Sequence, residues 1–256
     1  IHSEVAMQLQ IDPSPPVFSG ANIFYGVIPD PDAINFQHPV LSNTDHKVIQ
    51  GPGTGEVIIF NVGPPERKAQ VWAVTYASRT SPGSSQEWAH ADQTSKHLAN
   101  VLEHYPLAHP IHELSSHTPA DRLLHFGLNY RKHKKVWSKA RVCLIGDACH
   151  ATLPYAGQGA NQAVEDAIVL AECLDNSESF EKAFQKFYEK RSKRTRRIVT
   201  MANTLDKMYH SKNPVVQALL EYVLTSILNG GVIYKQLEKE IIHECPVDYT
   251  QFQNDN

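Results

Sequence analysis

The 256-residue chain lacks any uninterrupted apolar run of the roughly 18 residues that a membrane helix requires, since its best candidate, Ala218 to Leu228, is short and contains Glu221. No integral membrane segment is expected. Neither sign of charge is in large excess: 24 Lys and Arg against 27 Asp and Glu leave a net −3, which gives no global attraction to nucleic acid or to an anionic membrane. Cysteine is scarce. Cys143, Cys149, Cys173 and Cys245 form no CxxC pair and fall on segments that read as strand, loop, helix and tail, so free thiols in a reducing compartment are expected. A G-x-S-x-G nucleophile elbow is absent and no Ser-His-Asp set can be assembled from spacing, which removes the hydrolase readings. No signal peptide is expected, and no internal repeat stands out. A cytoplasmic location is the resulting expectation, with an N-terminal targeting segment left open because the chain starts at Ile1 rather than Met.

What is present has ordinary globular composition, 41% hydrophobic and 20% charged. Val57 to Val62 and Val71 to Tyr76 are rich in β-branched and aromatic residues and flank the turn-rich Gly63 to Lys68, which predicts a hairpin. In its second strand Trp72, Val74 and Tyr76 share one face and Val71, Ala73 and Thr75 the other, so both faces are expected to be covered. Strands near Ile23 to Ile28 and Lys47 to Gln50 complete a mostly antiparallel sheet. After the loop Ser81 to Ser85, Trp88, Ala91, Leu98, Val101, Leu102 and Tyr105 recur at helical spacing. An irregular, His-bearing loop comes next, then a helix around Asp121 to Leu128. Arg141 to Ile145 reads as a short buried strand, and Ala163, Val164, Ala167, Ala171 and Leu174 as the apolar stripe of the next helix. A long amphipathic helix is predicted from Phe180 to Met208, burying Phe184, Phe187, Ile198, Met201, Leu205 and Met208. A last helix opens at Pro214 and stops or kinks at Gly230-Gly231.

Between that short strand and its helix lies GDACHATLPYAGQGANQAVEDA, residues 146–167. Asp147 stands at the carboxyl end of a strand, where open α/β sheets bind ligands. Gly157 and Gly159 permit close backbone approach and unusual φ, and a helix beginning near Ala160 adds unpaired N–H groups and a positive dipole end. A carboxylate acceptor and several backbone donors around one small volume suit a nucleotide or cofactor. A purely structural strand-loop-helix connection is the other reading.

Gly146-Asp147, Pro154, Gly157-Gln158-Gly159-Ala160-Asn161 and Glu165-Asp166-Ala167, at these spacings, resemble the second FAD fingerprint of the single-component flavoprotein monooxygenases typified by para-hydroxybenzoate and salicylate hydroxylases. Trp137 with Arg141-Val142 resembles the family's lead-in to this strand, and Ile1 to Val5 resembles the segment just after the family's internal Asp-Gly motif. The similarity spans most of the chain and weakens after about Lys212. It implies a mixed α+β and α/β fold: residues 1–15 end a segment of the FAD domain, residues 16–135 form an antiparallel substrate-binding sheet with helices, residues 136–176 form the FAD-binding strand-loop-helix, and residues 177–256 are C-terminal helices. It further implies hydroxylation of an aromatic or conjugated small molecule with NAD(P)H and dioxygen, through a flavin hydroperoxide. In the implied cofactor site Asp147 accepts from ribityl or ribose hydroxyls of FAD and Pro154 shapes the wall beside the isoalloxazine. Gly159, Ala160 and Asn161 offer N–H groups to the flavin N1–C2=O edge, where negative charge develops on reduction. Gly146, Gly157 and Gln158 complete the set.

The chain departs from the family in two places. It has no N-terminal strand, GxGxxG turn and helix, so a fragment or truncated product of a larger hydroxylase is expected, one that binds flavin poorly and is inactive by itself. Where many relatives carry Arg before Gly26, it has Tyr25, read either as a substrate-binding phenol or as an aromatic on a sheet face. The alternatives to a hydroxylase are a flavin-dependent epoxidase or oxidase using the same site, or a non-catalytic remnant serving as a small-molecule binding or interaction module. His104, His109, His112 and His117 fit no zinc spacing, since HELSSH sets its histidines five apart instead of four, and a solvated loop without metal is expected. His150 is expected to make a local structural hydrogen bond. Lys190 to Arg197 is read as an exposed helix face; it lacks the interleaved aromatics of a single-strand surface, so no nucleic-acid partner is expected. No side chain is singled out as a catalytic acid or base, and the substrate's identity and the oligomeric state stay open.

Overall fold

A computed structural model of the protein describes residues 2–11, 14–38, 46–50, 56–81 and 91–228. In chain order the elements are α1 (Glu4–Gln8), β1 (Val17–Pro29), β2 (His46–Gln50), β3 (Glu56–Val62), β4 (Ala69–Ala77), α2 (Ala91–Leu102), α3 (Pro110–Ser116), β5 (Leu123–Tyr130), β6 (Ser138–Lys139), β7 (Val142–Cys143), α4 (Asp147–His150), α5 (Gly159–Asp175), α6 (Phe180–Tyr209) and α7 (Pro214–Leu228). They fall into two compact units, one of residues 18–128 with 208–217, the other of residues 1–17 and 129–207 with the chain from 218 onward. Among the described residues no helix is long and apolar enough to cross a membrane. Trp88, Cys245 and the Gly230-Gly231 stop lie outside the described residues.

The first unit is built on a five-stranded sheet in the order β2-β3-β4-β1-β5. The predicted hairpin is β3 and β4, antiparallel with Val62 opposite Ala69, and β1 pairs antiparallel along the other edge of β4. Central β4 is covered on both faces, Gln70 to Thr75 being buried without a break. One sheet face, with Phe24, Ile28, Val57, Ile59, Trp72 and Val74, packs on Leu98 of α2, on Tyr105, and on Ile111 and Leu114 of α3. The indole N–H of Trp72 donates to Thr118 Oγ1 (2.8 Å), whose hydroxyl donates to the Leu114 carbonyl (2.7 Å). A buried Trp therefore meets its one polar obligation. Gly26 lies opposite Trp72 in the ladder, and a Cβ there would run into the indole ring.

In the sheet unit the structure corrects two expectations. The segment Asp121 to Leu128 is not a helix: a single 3-10 turn at Ala120–Arg122 leads into β5, which takes the sheet edge beside β1. Its short apolar run fits either period, and pairing with β1 decides. Gly127 disfavours a helix and here serves close packing, since a Cβ on it would overlap Ser81 Oγ. The His-bearing loop, in turn, contains α3. Pro110 occupies its first turn, His109 caps it by accepting the Ile111 N–H through Nδ1 (3.2 Å), and Ile111 and Leu114 are fully buried. Two apolar positions are too few to show a period.

On the same face of the sheet His125 stacks on Phe24 (4.1 Å between ring centres) and its Nε2 lies 2.7 Å from Tyr76 Oη. Burial, with a smaller contribution from the charge of His97, lowers the His125 pKa from an ordinary 6.5 to about 4. Between these values the unfolded chain binds the proton and the folded chain does not, so stability should fall as pH drops from about 6.5 towards 4. Replacing His125 by Gln should remove that part of the slope, read by urea unfolding across the window. Gly26→Ala should destabilise at every pH by about 1–3 kcal/mol, because the indole has to move. An unchanged urea midpoint would show that Trp72 has room.

Candidate functional site

In the second unit the β6–β7 hairpin pairs Ser138 with Cys143 and Lys139 with Val142, and the Leu144 N–H continues it by donating to the Trp137 carbonyl (2.8 Å). The strand expected over Arg141 to Ile145 is thus reduced to Val142–Cys143, with β6 as its partner among the described residues. Burial holds it in place of a ladder: Trp137 and Leu144 enter a core with Cys149, Val169, Cys173, Phe184 and Phe187, joined by Ala6 and Ile11 from the N-terminal segment. The chain then turns at Gly146 with φ 56° and ψ −140°, a conformation that side chains disfavour, and a Cβ there would also press on the Ala163 methyl at 3.0 Å. Asp147 comes next as the first residue of α4, exposed to solvent.

Pro154 opens a 3-10 turn that closes at Gly157, whose φ is 61°, and Gln158 is the N-cap of α5. Gly159 begins the helix. The N–H groups of Gly159, Ala160 and Asn161 have no intrahelical acceptor, Gln158 makes no side-chain capping bond, and no acidic residue stands in the first turn. Ala160 and Asn161 are exposed, as are Asp147, Pro154 and Gly157, whereas Gln158 is buried. Gly159 does not have the unusual φ expected of it; a methyl there would meet Thr152 Cγ2 at an ordinary 3.6 Å. The apolar stripe expected on α5 is also corrected. Val164 is 61% and Leu174 39% exposed, while Gln162, Asp166, Val169 and Cys173 are buried. Half of the buried face is polar, which an apolar-period search cannot find.

That polar half is organised by a residue of the basic run. Arg191 of α6 is 2% exposed, and its Nε donates to Asp166 Oδ1 (2.8 Å). Its other nitrogens donate to Glu165 Oε2 (2.5 Å), Gln162 Oε1 (2.8 Å) and the Gln162 carbonyl (3.3 Å). Arg194 forms a fork to both Glu165 oxygens (2.8 and 2.9 Å). The remaining oxygen of Asp166, Oδ2, accepts the Gly146 N–H (2.8 Å) and lies 2.5 Å from His150 Nε2. Lys190, Lys193, Arg196 and Arg197 are exposed as expected; Arg191 is not. Its signal is positional, since Phe184, Phe187, Arg191, Thr195 and Ile198 follow one helical stripe. On the same helix Phe184, Phe187 and Ile198 are buried as predicted, whereas Met201, Leu205 and Met208 are only half-buried and Ala202, Asp206 and Tyr209 take the buried positions.

Cys149, His150 and Asp166 bring their ligand atoms within 4.8 Å of one another. Both oxygens of Asp166 are already engaged, and burial, followed by the nearby Asp166 charge, pushes the Cys149 thiol pKa upward. The trio reads as a hydrogen-bonded cluster instead of a metal centre. Tyr25 is half-buried on the sheet face opposite Phe24, and its hydroxyl meets no hydrogen-bond partner among the described residues.

Burial alone would raise the Asp166 pKa, but His150, Arg191 and the Gly146 N–H outweigh it and hold the carboxyl below its ordinary range. Glu165 is likewise held low by Arg194 and Arg191 against its own burial. The stabilisation from both is complete above the unfolded carboxyl pKa, about 4, and is lost as pH falls through the lower folded values. Asp166→Asn should cost about 3 kcal/mol at neutral pH and should reduce the further loss below pH 4. Urea denaturation of both chains at pH 7 and pH 3 measures this, and equal acid sensitivity would show that Asp166 does not set the acid limb.

The model of the FAD binding domain family matches residues 2–202. The chain is 43% identical over 77 residues to 3-hydroxybenzoate 6-hydroxylase of Polaromonas naphthalenivorans, covering 30% of this chain and 19% of that protein. It is 29% identical over 200 residues to Aurachin C monooxygenase/isomerase of Stigmatella aurantiaca, 78% of this chain and 47% of the relative. It therefore spans less than half the length of these curated relatives. In fold it is similar to HpxO of Klebsiella pneumoniae, solved with FAD and uric acid, with a TM-score of 0.70 at 16% identity over 89% of this chain and 53% of that one. With more than half of its residues inside the family match, the chain belongs to the FAD-dependent aromatic hydroxylase family.

Proposed function

We propose that the loop from Gly146 to Asn161 holds FAD and that the protein to which this chain corresponds hydroxylates a small aromatic or conjugated substrate, with NAD(P)H as reductant and dioxygen as oxidant. The observation that carries the reading is the start of α5: N–H groups at Gly159, Ala160 and Asn161 that have no partner among the described residues, without a side-chain cap or a first-turn acid, within the fingerprint that also exposes Asp147. These groups fit an anionic, hydroxyl-bearing ligand, and the ordinary φ and open flank of Gly159 fit close approach. Asp147 would accept from the sugar hydroxyls, Pro154 and Gly157 with Gln158 would shape the loop, and the first turn of α5 would face the flavin edge that becomes negative on reduction. Bound FAD supplies the redox chemistry. The chain's own part is to bind and orient it, to set N–H donors where charge develops, and to keep water out.

Within the same proposal residues 1–15 and 136–176 serve the flavin, residues 16–135 recognise substrate, and α6 steadies the loop through Arg191 on Asp166. Tyr25 is the assigned substrate contact, because its half-buried phenol faces away from the apolar core. The proteins it resembles carry names that point to ring substrates, among them 3-hydroxybenzoate and uric acid, which supports an aromatic pocket. Since the chain spans about half the length of its relatives, a binding module without turnover is the second reading.

Titrating the purified chain with FAD, and following flavin fluorescence and the visible spectrum, tests the site. Asp147→Ala should weaken FAD binding by about 1.5–3 kcal/mol, as expected for a charged acceptor lost from ligand hydroxyls. Gly159→Ala should leave the thermal midpoint intact, as its open flank allows, yet weaken FAD binding, and Gly159→Val should weaken it more. Equal FAD affinity in all four chains would reduce the loop to a structural connection.

A further inference from the structure

We propose that Arg191 is a positioning residue for the flavin loop: from the buried face of α6 it orients the Asp166 carboxylate, and that carboxylate fixes the Gly146 turn from which Asp147 projects. The consequence for FAD rests on the reading of the loop given above, whereas the positioning of Gly146 rests on geometry alone.

The geometry divides the two oxygens of Asp166. Oδ1 takes the Arg191 Nε–H at 2.8 Å, which leaves Oδ2 for the Gly146 N–H at 2.8 Å and for His150 Nε2 at 2.5 Å. Arg191 cannot swing away, because Gln162 and Glu165 hold its remaining nitrogens. Arg191 reaches Asp166 through this one Nε–H bond, but its other nitrogens are fixed on Glu165 and Gln162, so the guanidinium is held in place and turns Oδ2 toward Gly146. Gly146 needs that anchor. Its φ of 56° and ψ of −140° are held from the other side by its own carbonyl, which accepts the Cys149 and His150 N–H groups at 3.0 Å each, so the peptide on either side of the glycine is pinned in a different direction. Asp147 is the next residue, exposed, and inherits its direction from this turn.

Position in the helix argues the same way. Arg191 lies on the stripe of Phe184, Phe187 and Ile198, where an apolar side chain would pack without desolvating a charge. An Arg at such a place is explained by what it holds. Lys193, two residues on, is exposed and serves as the contrast.

The test uses the 256-residue chain itself in four forms: wild type, Arg191→Lys, Arg191→Gln and Lys193→Gln. Amide hydrogen exchange at Gly146 and the FAD dissociation constant are measured for each. Arg191→Gln should speed exchange at Gly146 at least tenfold while the amides of α6 keep their protection, and should raise the FAD dissociation constant tenfold or more. Arg191→Lys should fall between, and Lys193→Gln should match wild type. Gly146 protection unchanged in a folded Arg191→Gln chain overturns the proposal, as does an FAD affinity within twofold of wild type. Should Arg191→Gln fail to fold, Arg191→Lys decides by the same two readouts, and the double change Arg191→Gln with Asp166→Asn removes the unpaired buried charge and restores a foldable comparison. If wild type takes up no FAD, the flavin reading of the loop fails by itself, and the exchange measurement still decides whether Arg191 positions Gly146.

Discussion

The second unit depends on one fully buried carboxylate. Asp166 has no exposure to water, so it must find donors inside the protein, and it finds them in three directions: the Gly146 backbone, the His150 ring and the Arg191 guanidinium. A carboxylate has room for about four donors, so this set nearly fills it. Burying such a pair gains little net stability over apolar packing, but losing one partner leaves a charge without solvent. What the network supplies is a tie between segments: one carboxylate joins the strand-to-α4 turn, α5 and α6.

The sheet unit obeys a different logic, and its polar groups are solved locally. Trp72 passes its N–H to Thr118, and Glu113 of α3 accepts the backbone N–H groups of Gln37 (2.5 Å) and His38 (2.9 Å), fastening the loop after β1 to the helix. The His125–Tyr76 pair sits where burial favours a neutral imidazole. Each device ties two neighbouring segments, whereas Asp166 ties three elements and a loop.

This difference explains what is legible in the sequence. The β3–β4 hairpin, the long α6 and the start of α7 at Pro214 can be read because their signals are periodic, local and reinforced by turn or capping residues. The fingerprint from Gly146 to Asp166 can be read because its spacings are fixed. Segment β5 reads wrongly as a helix because Leu123 to Leu128 is too short to separate a 2-residue from a 3.6-residue period, and the β1 partner that settles the matter is about a hundred residues away in sequence. The buried face of α5 escapes for a complementary reason. Apolar periodicity locates dry surfaces, but the face that counts here is wet chemistry made dry by an Arg twenty-five residues downstream.

The start of α5 is locally weak. A Ser, Asp or Asn at the N-cap would satisfy one of the first-turn N–H groups and typically contributes about 1 kcal/mol to a helix. Position 158 instead holds a buried Gln with no capping bond, followed by Gly159, the least favourable ordinary residue for a helix after Pro. Both choices weaken the first turn. The helix tolerates them because its later turns are fastened elsewhere, by Val169 and Cys173 in the core and by Asp166 on Arg191. Under the proposed flavin reading, a cap would close the donors offered to the cofactor. The first turn can therefore remain open and poorly capped because the buried charge network and the apolar core hold the rest of the helix in place.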